Sequence, residues 1–74
     1  MNLQMAFGRV ISNLRREAGL SQEELAYRCN LHRTYISQLE RGLKSPTLTT
    51  ISALAHVLER PPHMLLKAAE DMIQ

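Results

Sequence analysis

Apolar residues recur along this chain at helical spacing from end to end, and nowhere do they alternate with period two. Phe7, Val10, Ile11, Leu14 and Ala18 form one stripe of a first helix, which Gly19 is suited to close. Ser21-Gln22-Glu23-Glu24 then reads as a capping box, with Ser21 as N-cap and Glu24 at N3. Leu20 and Leu25 flank it as a hydrophobic staple, so a second helix is expected to start there and end near Cys29. Asn30 tolerates the left-handed backbone of a tight turn. A third helix is expected from about Arg33 to Arg41, stopped by Gly42, with His32 in place of a standard N-cap residue. Ser45-Pro46 breaks the chain, and Thr47 can cap a fourth helix whose inward stripe would be Leu48, Ile51, Leu54, Ala55 and Leu58. Pro61-Pro62 ends that helix and can open a fifth, to about Asp71. The expectation is an all-α fold, a compact bundle of five short helices.

Composition narrows the picture. Seventy-four residues make one domain with a small core, and with only Phe7, Tyr27 and Tyr35 as aromatics that core must be aliphatic. The lone Cys29 excludes an internal disulfide and a cysteine-rich zinc site. It falls on the inner side of the second helix, where a buried inert thiol is expected. No apolar run approaches the roughly 18 residues of a membrane span. Arg9, Arg15 and Arg16 interrupt any signal-peptide pattern, so a cytoplasmic location is expected. The net charge of +2 is unevenly spread. Residues 1–45 carry seven Lys and Arg against four Glu, or +3, and residues 46–74 carry −1. The first half therefore suits an anionic partner.

The third helix concentrates the relevant chemistry. With about 100° per residue, Arg33, Thr34, Ser37, Gln38 and Arg41 share an arc of roughly 140°, while Ile36 and Leu39 lie on the far side. Glu40 borders the arc and faces back toward the domain. Arg can grip guanine O6 and N7 in a bidentate fork, Gln can pair with adenine, and the Thr methyl can meet the thymine methyl. No acid in the arc would repel phosphate. Enzyme chemistry is not signalled: His32, His56 and His63 lack metal-ligand spacing, and there is no phosphate-cradling glycine loop. No metal, cofactor or small-molecule effector is expected.

Three stretches carry a family likeness: Gly19 to Ala26, Arg33 to Gly42 and Pro46 to Leu48. Together they resemble the Cro/cI-type helix-turn-helix family over roughly residues 7–66. The Tyr27-Arg28 and Arg33-to-Ser37 stretches are most similar to controller proteins of restriction–modification systems. Asn30 stands where the family often has Gly. The resemblance implies a lambda-repressor-like DNA-binding domain spanning 1–74, with its helix-turn-helix at about 21–41. It further implies base reading by Arg33, Thr34, Ser37 and Gln38. Phosphate contacts would come from Gln22, Tyr35, Arg41, Lys44 and Thr47. Arg15 and Glu40 would form a structural ion pair. The implied activity is transcription regulation on a double-stranded DNA operator, with RNA polymerase as a candidate further partner.

A module this small contacts few base pairs, so a homodimer reading a near-palindrome is expected. Residues 50–74 are the expected dimerisation region. Its candidate contacts are Thr50, Ala53 and Val57 from the fourth helix and Met64, Leu65 and Ala68 from the fifth, mostly apolar positions beyond those one core needs. In that reading Leu66, Ala69 and Ile73 form the other face of the fifth helix. A competing function from another class is a protein-binding module, since some members of the resembled family neutralise a toxin partner and bind DNA with it.

Overall fold

The computed structural model describes residues 1–74. It has five α-helices and no strand: α1 (Leu3–Glu17), α2 (Gln22–Cys29), α3 (Arg33–Glu40), α4 (Leu48–Val57) and α5 (Pro62–Ile73). α1 packs against α3 and α5, α2 against α3 and α4, and α4 against α5. The molecule measures 32 × 23 × 22 Å. No helix is long and apolar enough to cross a membrane.

The local signals act as their chemistry requires. The Ser21 hydroxyl accepts from the Glu24 N–H at 3.0 Å, and the Ser21 N–H donates to the Glu24 carboxylate at 2.9 Å. The Ser21 backbone N–H, and then its side chain, hold the Glu24 carboxyl below its ordinary range, so this half of the box is present at neutral pH and is lost as the carboxylate protonates in acid. Asn30 takes the left-handed conformation, with φ 57° and ψ 44°, and turns the chain from α2 into α3. His32 precedes α3 without a side-chain cap bond. The first helix begins earlier than its apolar stripe: Asn2 caps it by accepting from the Met5 N–H at 2.8 Å.

Ile11, Leu25, Ile36, Leu39, Leu54 and Leu65 are the largest fully buried side chains and form the centre of an aliphatic core. Two expectations are corrected here. Leu48 is 84% exposed, because it is the first residue of α4 and the stripe turns inward only from Ile51. Leu65, expected at a subunit contact, is 1% exposed inside the monomer. The inward side of α5 is Leu65 with Ala69, one turn apart, and Leu66 and Ile73 face outward. A helix wheel alone could not settle this, since α5 is apolar on two sides and only its docking against α1 and α4 chooses one. The end of α4 also differs. The helix stops at Val57, and Glu59, not the prolines, reverses the chain with φ 58°.

Candidate nucleic-acid interface

The outward side of α3 is built by burying its opposite side. Ile36 and Leu39 lie in the core, fully covered, against Leu25 and Ala26 of α2. With that side fixed, Arg33, Thr34 and Arg41 are exposed and Ser37 and Gln38 are half-buried at the edge of the same ridge. The structure thus brings the expected base-reading residues onto one convex surface. Lys44 projects from the loop that follows. Arg33, Arg41 and Lys44 form no ion pair, since the molecule's two salt bridges are Arg15–Glu40 and Lys67–Asp71. Their charges are free to meet an anion.

The remaining expected phosphate contacts are placed less simply. The Gln22 amide is half-buried at the start of α2 and donates to Glu40 Oε1 at 3.0 Å, which leaves its second N–H for an outside acceptor. Tyr35 is half-buried and packs its ring on the core. Thr47 is exposed, but its hydroxyl caps α4 by accepting from the Thr50 N–H at 3.1 Å and donates to the Thr50 hydroxyl.

Arg15 and Glu40 form the expected pair. Arg15 Nε donates to Glu40 Oε2 at 2.7 Å, and its terminal nitrogens donate to Glu40 Oε1 at 3.0 Å and to the Leu20 carbonyl at 2.9 Å. The two side chains are only 10% and 6% exposed. Hydrogen bonding to Glu40 raises the Arg15 guanidinium above its ordinary pKa despite the opposing cost of burial. One carboxylate therefore ties together α1, the start of α2 and the end of α3. The Gln22 arm of this network was not anticipated from sequence.

A second feature escaped the sequence reading. Gly8, in the middle of α1, lies against the α3 carbonyls of Leu39 and Glu40. The signal was present: glycine inside a helix costs roughly 1 kcal/mol relative to Ala, and it occurs beside Phe7 on the buried side. Close backbone approach is the common reason. Gln4 Nε2 donates to the Gly42 carbonyl at 2.8 Å, so α1 fixes the turn after α3 as well. Cys29 is buried and its thiol is pushed up by that burial, which makes it an inert packing group. No cluster of His, Cys, Asp and Glu is arranged to hold a metal ion.

Two short helices joined by a left-handed turn, the second offering an unpaired cationic ridge, define a helix-turn-helix module. The chain belongs to the helix-turn-helix family, whose pattern matches residues 11–65. Control protein C.BamHI of Bacillus amyloliquefaciens is 39% identical over 66 residues, 88% of this chain and 82% of that one. The restriction–modification controller protein C.AhdI of Aeromonas hydrophila superposes with a TM-score of 0.81 at 39% identity, covering 84% of this chain and 94% of that one. C.Esp1396I bound to a 25 base pair operator site superposes with a TM-score of 0.84 at 33% identity, over 99% of this chain and 96% of that one. The likeness to restriction–modification controllers therefore holds in both sequence and fold.

Proposed function

We propose that this protein is a transcription regulator that binds double-stranded DNA as a homodimer. α3 of each copy enters the major groove of one half of a near-palindromic operator. The observation that carries the reading is the ridge of α3: Arg33, Thr34 and Arg41 are exposed, with Ser37 and Gln38 half-buried at its edge, and the other side of the helix is locked in the core. A relative of the same fold, C.Esp1396I, has been seen on its operator. Arg33 and Thr34 read base edges first, with Ser37 and Gln38 beside them. Arg41, Lys44, the second N–H of Gln22 and the Tyr35 hydroxyl hold phosphates, while Thr47 contributes through the helix start it caps. The protein acts by binding and not by catalysis, in the cytoplasm where its target lies. Regulation follows from its concentration and from operator placement, with RNA polymerase as the partner of a duplex-bound dimer.

The test is selection of bound duplexes from a random library. An inverted repeat with half-sites about 34 Å apart is expected. Recovery of no preferred sequence would sink the reading. On the selected site, Arg33→Ala should cost about 1–3 kcal/mol and relax preference at one base step. Equal losses on selected and random duplexes would show that Arg33 reads no base.

The dimer is proposed through α4 and α5, at residues 50–74. Met64 and Ala68 are exposed, and Thr50, Ala53 and Val57 are half-buried. Met64→Asp should therefore shift the protein toward monomer in analytical ultracentrifugation while its helical circular dichroism is retained. A variant that stayed dimeric would move the interface elsewhere.

A further inference from the structure

α1 carries a face that the helix-turn-helix does not account for. Arg9, Ser12, Asn13 and Arg16 follow one another at i, i+3, i+4 and i+7, so they line one side of the helix. That side is the wall of a cleft whose opposite wall is Ser37 and Arg41 of α3. Gln22 and Glu40 form its floor, and no apolar side chain lines it. Glu40 is the cleft's only acid, and Arg15 already neutralises it. Arg9, Arg16 and Arg41 have no acidic partner, so three uncompensated guanidiniums surround one opening. Glu17, the one acid of α1, lines a different hollow with Leu14 and Ala18.

We propose that this cleft is a second phosphate-binding site, in which Arg9 and Arg16, assisted by Asn13, grip a backbone phosphodiester of the duplex whose groove α3 reads. This rests on the function proposed above. Ser37 and Arg41 belong both to the cleft and to the α3 ridge, so a duplex seated on the ridge brings a strand to the cleft mouth. Guanidinium groups suit that ligand because they present parallel N–H donors to two phosphate oxygens at once. The site adds affinity without sequence information, since a phosphate is the same beside every base.

Each phosphate contact contributes about 0.9 to the slope of log affinity against log salt. Because the proposed homodimer carries two copies of the cleft, Arg9→Gln and Arg16→Gln should each lower the slope by about twice that amount. Each should also weaken binding about sixtyfold at 0.1 M salt, the factor that a slope change of about 1.8 gives between 0.1 and 1 M. Selected and random duplexes should lose equally, and the selected sequence should not change. Arg9→Lys and Arg16→Lys should keep the slope. Wild-type binding with an unchanged slope in both Gln variants would overturn the cleft site and leave the proposed function standing. Failure of the wild type to bind any duplex would overturn both. Lys variants as weak as the Gln variants would show a structural effect and overturn the site. Inorganic phosphate, titrated while the arginine Nε resonances are followed by NMR, separates the sources. Saturation at millimolar phosphate with an unchanged duplex slope would mark a free-anion site and overturn the proposal.

Discussion

Glu40→Ala should cost about 3–5 kcal/mol, the range expected when one partner of a buried ion pair is removed. Its carboxylate is the acceptor for two donors of Arg15 and for the Gln22 amide. Without it the Arg15 guanidinium, still buried beside the Leu20 carbonyl, carries an uncompensated charge. A domain of this size has a stability near the low end of about 5–15 kcal/mol, so the variant should be close to unfolded at physiological temperature. Urea denaturation followed by circular dichroism measures the loss. Arg15→Met combined with Glu40→Met should recover most of it, because replacing both charges with apolar groups removes the desolvation cost. A Glu40→Ala variant within about 1 kcal/mol of wild type would mean that packing alone holds α3 on α1.

Gly8→Ala should destabilise the protein, although alanine is the better helix former. A Cβ at this position would fall on the Leu39 carbonyl oxygen and lie 3.0 Å from the Glu40 carbonyl oxygen. These are backbone atoms, which cannot swing aside as a side chain can. α1 and α3 must separate, and the recognition helix shifts relative to its supports. Overpacking costs about 1–3 kcal/mol or more, against roughly 1 kcal/mol gained in helix propensity. A net loss of up to about 2 kcal/mol is expected in thermal unfolding, with Gly8→Val losing more. Operator affinity of the folded fraction should fall too, because the Arg33 ridge moves with α3. A Gly8→Ala variant more stable than wild type would show that the contact is soft.

The capping box at Ser21, the turn at Asn30, the stop at Gly42 and the stripe of α3 were all legible along the chain. Each depends on residues within a few positions of one another, and local hydrogen bonding or helical period fixes their geometry. The candidate base-reading set was legible for the same reason: α3 is polar on one side only. The Arg15–Glu40 pair came from family resemblance, since nothing local joins residues 25 positions apart. Leu48 and Leu65 were misplaced because burial at a helix end, or on a helix apolar on two sides, is decided by neighbouring elements. Gly8 and the Gln22–Glu40 bond went unseen because each answers to a backbone or side chain from another helix.

The order and type of the five helices, the polarity of the recognition ridge and its positive charge are written in the residue pattern itself. They follow from period, caps and the sorting of apolar from polar positions, which act within a single helix. Tertiary structure alone decided which face of α5 is interior, that Gln22 serves Glu40, and that four polar residues of α1 share a cleft with α3. Those outcomes depend on how helices cross, and a crossing is set by the summed fit of many side chains from segments distant in the chain.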